Sequence, residues 1–517
     1  MPHEKTDPQI QQIQENVLHP NFTEDELDKL HEADEKTTWF GIGKERRGLA
    51  FLTDGGIYQS LMARSHVDGV TKYPQLVSFI GETNAGKSTL IKMLIELAGR
   101  RKNPNSEFSS PSPIVASRQD TMATSVDVHL YPDPETFLES RPILYADCEG
   151  LNAGEVPPRA SQRSRWGETR RYAISGGRIR YLDWADSDER RTRSFTVSEL
   201  YPRLLYTFSD VVVFVLRNTR FFQRMALERL LKWGQASLET SINQATLPHA
   251  IIAVNAADIN VANREWDNRH ATTQLLRSVP TDVSRVPYFR ELADIWRSKG
   301  RIIDTVSDLF SCYYSSFTIV RIPIAGRSGL LLAQMNELRD QITRCCTESY
   351  KAKRKARMLS DSDELGIFMQ AAFDHFASDP ERPFNFIEVS LSINPIPKNI
   401  GGNILHLAIA IQKRDQKADS KRIFNKLSKL VASCVFLDCV RYRKGLPRNL
   451  FTEYKKYFEY TLDELCYTFS PCQFRNRRGS CVNSYGMHMK GHQNDRGKII
   501  AAGPYESDFT YDDYYDN

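Results

Sequence analysis

Residues 81–88 read Gly-Glu-Thr-Asn-Ala-Gly-Lys-Ser, a loop of the form G-x-x-x-x-G-K-[ST]. Each residue type in that pattern has a use against a run of phosphates. Gly81 and Gly86 permit backbone angles that turn several N–H groups inward, the Lys87 ammonium can reach the outer phosphates, and the Ser88 hydroxyl can hold Mg²⁺. Glu82, Thr83, Asn84 and Ala85 supply the intervening amides, and Thr89 follows in the first helical turn. The flanks suit this chemistry. Gln75–Ile80 (QLVSFI) is short, apolar and partly β-branched, which predicts a buried strand. Ser88–Leu97 (STLIKMLIEL) has apolar residues at helical spacing and predicts a helix whose N-terminus faces the negative charge. A chance glycine-rich turn before a helix is the plain alternative. Strand, loop and helix in this order favour a cradle for a nucleoside triphosphate.

Two further motifs follow in order. The apolar run Ile143–Ala146 ends in Asp147-Cys148-Glu149-Gly150, where a carboxylate would hold Mg²⁺ through water and the Gly150 N–H would meet the terminal phosphate. His249–Val254 (HAIIAV) then runs into Asn255-Ala256-Ala257-Asp258. An aspartate in that place accepts hydrogen bonds from both the N1–H and the exocyclic amine of guanine, a donor pair that adenine lacks.

These three segments together resemble the translation-factor-like class of P-loop GTPases. Within that class, Asp147-Cys-Glu-Gly-Leu-Asn-Ala-Gly-Glu is similar to the Asp-x-Glu-Gly-Leu segment of guanylate-binding proteins and very large interferon-inducible GTPases, and Tyr206–Val215 (YTFSDVVVFV) fits the same branch. The resemblance covers about residues 73–325. It implies an α/β fold with a doubly wound, mainly parallel sheet, GTP and Mg²⁺ as ligands, and hydrolysis of GTP to GDP and phosphate in a nucleotide-dependent switch or assembly protein. It allows homodimerisation through the nucleotide domain. It also implies a threonine that folds over Mg²⁺; Thr121 and Thr124 both precede the strand expected at Val126–Tyr131, and the family's spacing favours Thr121 as metal ligand and catalytic residue.

The chain departs from the family pattern in three places. Ala256 stands where Asn-Lys-x-Asp loops carry lysine, so the aliphatic stem that would stack on guanine is missing. Leu151 follows Gly150 where many small GTPases have a water-orienting glutamine. Asn84 stands where guanylate-binding proteins carry an arginine; an asparagine there resembles GTPases that recruit K⁺, while bonding to the loop's own backbone is the plainer reading. These departures leave two rivals to a GTPase: a nucleotide-gated scaffold with little hydrolysis, and an ATP-binding or relaxed-specificity P-loop protein.

Composition bounds the rest. A chain of 517 residues is too long for one core, and a net charge of +5 on that length gives no case for wholesale nucleic-acid binding. The N-terminal stretch is polar and lacks the apolar core of a signal peptide, and no apolar run approaches the ~20 residues a membrane helix needs. Nine cysteines, an odd number spread along the chain, predict reduced thiols in the cytoplasm, with the nucleus also open.

The pattern divides the chain into four: a polar, partly helical segment to about 70, the nucleotide domain over 71–345, a helical domain over 346–465, and a tail over 466–517 with an acidic end. Thr23 followed by Glu26 predicts a capped helix start. Between Arg159 and Ser194 lie ten arginines, no lysine and five acids, read first as a solvated loop and second as an anion- or partner-facing surface. Asn394–Asn403 (NPIPKNIGGN) breaks the helical region. Beyond it, one stripe through Ile423, Phe424, Leu427, Leu430, Val431, Cys434 and Val435 and another through Phe451, Tyr454, Tyr457, Phe458, Leu462 and Leu465 are expected to pack together. In the tail, Cys472-x8-Cys481-x6-His488-x3-His492 offers two thiolates and two imidazoles, a donor set suited to tetrahedral Zn²⁺. Cys466 could replace one ligand, and loose reduced cysteines are the plain alternative.

Overall fold

The computed structural model describes residues 13, 23–45, 48–102, 111–115, 126–151, 178–218, 222–238, 246–257, 261–277, 279, 283–324, 327–397, 400–415, 420–447, 450–451, 453–455, 457–458, 461, 467 and 471–506. Thr121, Thr124, Asp258 and Cys466 lie outside the described residues. The chain divides into two compact units, Met1–Asn385 and Phe386–Asn517.

The first unit is built on a nine-stranded sheet. Its strands are β1 (Thr38–Lys44), β2 (Ala50–Asp54), β3 (Gln75–Gly81), β4 (Val128–Pro132), β5 (Ile143–Cys148), β6 (Arg178–Tyr181), β7 (Val211–Leu216), β8 (His249–Ala257) and β9 (Phe317–Pro323). They lie in the order β6-β2-β1-β4-β5-β3-β7-β8-β9. The half from β5 to β9 is parallel throughout. The half from β6 to β5 is antiparallel throughout. The fold is therefore α/β as expected, but the sheet is mixed rather than mainly parallel.

Why β1 and β2 escape a sequence pattern is visible in their burial. Five consecutive residues of β1, and all five of β2, are buried, so neither strand alternates polar with apolar side chains. They begin a segment that sequence alone reads as polar and helical. The helix Glu24–Glu35 before them is capped as predicted: the Thr23 hydroxyl accepts from the Glu26 N–H (3.3 Å) while the Glu26 carboxylate accepts from the Thr23 N–H (2.9 Å).

Both faces of the sheet are covered. On one, Val77, Phe79, Tyr145, Val213, Ile251 and Val320 pack with the helices Lys87–Lys102 and Ser328–Lys355. On the other, the Phe214 ring meets Trp233 of the helix Glu228–Leu238 at 6.0 Å between centroids. The helix Ser328–Lys355 runs unbroken through residue 345, because Leu331, Met335, Leu338, Ile342, Cys345 and Cys346 are one buried stripe against the sheet. Its basic last turn complements the negative end of the helix dipole. The helix Ser362–Ser378 also belongs to this unit, so the division of the chain falls at Asn385/Phe386 and not near 345.

The second unit contains the helices Phe386–Ile393, Ile400–Arg414 and Ser420–Tyr442. Helical structure stops after Ile393, before Pro395 and Pro397, and resumes at Ile400 despite Gly401 and Gly402. The two predicted stripes meet in part: Val431 and Val435 share a cluster with Tyr454, Tyr457 and Phe458, whereas Leu430 and Cys434 are exposed, and Leu462 and Leu465 lie outside the described residues. Residues 471–506 form two very short hairpins, Arg475–Asn476 with Gly479–Ser480 and His492–Gln493 with Ile499–Ala501. No helix among the described residues is long and apolar enough to cross a membrane.

Candidate functional site

Strands β3, β5 and β8 are parallel members of one sheet, so their C-terminal ends share an edge. β3 sits between β5 and β7, where the strand order reverses, the place where open α/β sheets form a crevice. At that edge β3 delivers Gly81 to Ser88, β5 delivers Asp147 to Gly150, and β8 delivers Asn255.

The three segments touch. The Ser88 hydroxyl donates to Asp147 Oδ2 at 2.6 Å. Lys87 is buried, and its ammonium donates to the carbonyls of Glu82 (2.9 Å) and Gly81 (3.2 Å). Burial lowers the Lys87 pKa, with the nearby Asp147 carboxylate opposing. A cation curled into its own loop in this way could act as a counter-charge for an anion above that loop. The Asn255 amide donates to Ala85 O at 2.8 Å and its Oδ1 accepts from the Ala256 N–H at 2.9 Å, stapling the loop after β8 to the loop after β3. Gly86 is needed on two counts: its φ is +93°, and a Cβ there would collide with the Asn255 amide nitrogen.

The Asp147–Gly150 turn is joined to the loop by backbone. Leu151 N–H donates to Gly81 O (3.0 Å) and Thr83 N–H donates to Leu151 O (3.1 Å). A Cβ on Gly150 would stand 2.5 Å from Thr83 Cα, so only glycine allows this approach. The Leu151 side chain is buried at 1% exposure. It cannot orient a solvent water, and its backbone is what serves the site. Asn84 has φ +60°, a left-handed conformation that asparagine tolerates better than most residues. Thr89 lies in the first turn of the helix behind the loop. Thr121 and Asp258, expected as metal ligand and base reader, lie outside the described residues.

Around this edge is a buried ionic cluster that the motifs alone did not disclose. Arg193 Nε donates to both Glu149 oxygens (3.0 and 3.1 Å), and its Nη2 donates to Glu149 Oε2 and to Asp127 Oδ1 (2.6 Å for the latter). The Tyr201 hydroxyl also donates to Asp127 Oδ1 (2.8 Å). Arg193 was one of ten arginines in the insertion and nothing local marks it out. Other described arginines of that insertion have structural partners too: Arg180 bonds to Asp374 and Gln370, Arg190 to Glu381, and Arg191 to the Ala185 carbonyl. Arg190 and Arg191 stay partly exposed, as a solvated loop predicts, whereas the Arg180 side chain is withdrawn from water. Burial also lowers the pKa of Arg229, and the charge of Glu82 in the loop Gly81–Ser88 opposes that shift.

A separate candidate centre lies in the second unit. One ligand atom each from Cys472, Cys481, His488 and His492 falls within 4.8 Å of the others, and all four residues are buried. Cys472 Sγ is 3.4 Å from His492 Nδ1, Cys481 Sγ is 3.6 Å from His488 Nε2, and the two imidazoles approach to 3.1 Å. Supporting groups surround them. The Glu506 N–H donates to Cys472 Sγ (3.3 Å), the Glu506 carboxylate lies 3.9 Å from His492 Nε2, and Phe474 stacks on the His492 ring at 3.8 Å. Such partners fix ligand orientation around a metal ion, and this cluster could hold one.

No known protein family matches this chain, and no curated protein does either.

Proposed function

We propose that the chain binds GTP with Mg²⁺ at the loop Gly81–Ser88 and hydrolyses it to GDP and phosphate, serving as a nucleotide-dependent switch or assembly protein. The observation that carries this reading is the meeting of three strand ends: Ser88 on Asp147, Asn255 on the Ala85 carbonyl, and Lys87 buried within the loop. A hydroxyl and a carboxylate 2.6 Å apart are hard oxygen donors of the kind Mg²⁺ takes, so the residues fit the ion. Bound there, Mg²⁺ would neutralise charge on the outer phosphates. Ser88 would hold the ion directly and Asp147 through water. Lys87 and the loop amides would stabilise charge on the phosphate oxygens, and the Gly150 N–H would orient the terminal phosphate for in-line attack by water. Asp258 would select guanine. Asn84 would contact K⁺ if the reaction uses one, and turnover compared in K⁺ and Na⁺ separates that role from its backbone role.

The test is titration of the purified chain with GTP and with ATP, for the parent and for Asp258→Ala. GTP should bind more tightly, and Asp258→Ala should erase the difference. Equal affinities in the parent would replace this reading with a relaxed P-loop protein. The nucleotide-gated scaffold has its own support in Leu151, whose buried side chain offers no group to activate water. In the second unit we propose that the ion is Zn²⁺, because two thiolates and two imidazoles are its usual tetrahedral donors. Its role there would be structural, since all four places are filled by protein.

A further inference from the structure

We infer that Arg193 is a positioning residue that ties the Asp147–Gly150 turn to the head of β4, so that the two segments respond to nucleotide as one body. The inference rests on the reading of residues 81–88 and 147–150 as a nucleotide site, and extends it to a residue that would touch neither nucleotide nor metal.

The geometry is specific. Glu149 is adjacent to Gly150, yet its carboxylate is turned away into the protein, 1% exposed, and clasped by the Arg193 guanidinium. The same guanidinium reaches Asp127, whose side chain is 5% exposed. Backbone doubles the connection: the Asp127 N–H donates to Glu149 Oε2 and the Glu149 N–H donates to Asp127 O, each at 2.9 Å. Asp127 itself has φ +66°, immediately before β4, and its carboxylate also accepts from the Ile42 N–H of β1 (3.3 Å). A Cβ on Gly41 would collide with that carboxylate, so β1 leaves room for it. Arg193 is held by its own helical turn, where the Thr192 hydroxyl accepts from the Phe195 N–H at 3.1 Å.

Arg193 therefore stands between two carboxylates, one just before β4 and one just after β5, and neither can shift without the other while the fork is intact. A planar guanidinium can serve both at once, whereas an ammonium cannot reproduce that fork. If the Gly150 N–H takes hold of a terminal phosphate, the displacement of Glu149 passes through Arg193 to Asp127. If GDP leaves Gly150 without that phosphate, the same link releases.

The experiment uses the full chain. Hydrogen exchange is measured first without nucleotide on Arg193→Met and Arg193→Lys, with Arg190→Met as control because Arg190 pairs with Glu381 instead. Amides of Val128–Tyr131 and of Tyr145–Leu151 should exchange faster together, at least tenfold, in the Arg193 variants and not in the control. Should Arg193→Met fail to fold, Arg193→Lys, which keeps the charge and loses the fork, decides. Acceleration in only one segment, or in neither, overturns the link whatever the nucleotide does. Affinities for GTP and GDP are then compared: the preference for GTP over GDP should fall at least tenfold while GDP affinity changes less than threefold. An unchanged preference with coupled exchange overturns the positioning role and leaves Arg193 purely structural. If the parent binds no nucleotide at all, the phosphate-loop reading and the nucleotide response fail, while coupled exchange would still stand for the mechanical link.

Discussion

If the cluster Cys472, Cys481, His488 and His492 holds zinc as proposed, replacing Cys481 with serine should release the ion and disorder residues 471–506. Within that stretch the buried apolar side chains are Ile500 and the two ligand thiols. Burying one isoleucine is worth about 2–3 kcal/mol. The longest strand there has three residues, too short for a hairpin that stands alone. A structural zinc with such donors contributes an apparent ~10–16 kcal/mol, several times what the isoleucine supplies, so binding and folding of this stretch should be one event. Serine cannot supply a thiolate at neutral pH, and the remaining three ligands are left around an ion that prefers four. The assay is metal analysis of protein prepared under reduction and without chelator, joined to limited proteolysis after residue 470. The parent should hold about one equivalent and the variant less than about a tenth. All four ligands lie in Phe386–Asn517, so unfolding of Met1–Asn385 should be unchanged. Ordered, protease-resistant 471–506 in a parent that carries less than a tenth of an equivalent would refute the reasoning.

Other expectations follow from the first unit. Lys87→Ala should weaken GTP binding by about a hundredfold or more, since the ammonium is proposed to make two charge-assisted hydrogen bonds to phosphate at ~1.5–3 kcal/mol each; calorimetry showing parental affinity would mean the loop does not hold phosphate. Turnover per molecule should be slow when dilute and rise with protein concentration or a partner. Arg180, Arg190, Arg191 and Arg193 already hold partners within the chain; of the other six, Arg159, Arg163 and Arg165, outside the described residues, are the first to be tested by charge removal as donors in trans. A rate that is fast and flat with concentration would exclude such a supply. At the start of β8, His249 Nδ1 lies 2.7 Å from the Ser316 hydroxyl, and burial lowers its pKa against the opposing charge of Asp210. The folded chain thus disfavours imidazolium. Stability should be full above the ordinary histidine value of about 6.5 and should fall as pH drops below it, because the unfolded chain takes its proton first. His249→Gln should flatten that part of a urea-unfolding profile between pH 8 and 5; an identical slope would assign the acid sensitivity elsewhere.

What the sequence determined by itself is local. The loop Gly81–Ser88, its strand and its helix are contiguous, so the loop could be read with its flanks. Asp147–Gly150 and Asn255 were legible for the same reason, each being the end of a short apolar strand. The Thr23 cap and the four clustered cysteines and histidines of the tail also lie within short spans whose residue types carry their chemistry. Tertiary structure decided what depends on residues far apart. The antiparallel half of the sheet was hidden because β1 and β2 are buried on both faces and lose the alternation that marks a strand. The limit of the first unit was hidden because helix Ser328–Lys355 looks the same in sequence whether its stripe meets the sheet or other helices. Arg193 was hidden most completely. Among ten arginines in one insertion, only folding chooses the one that joins Glu149 and Asp127, for a largely buried guanidinium needs partners that the local sequence does not supply.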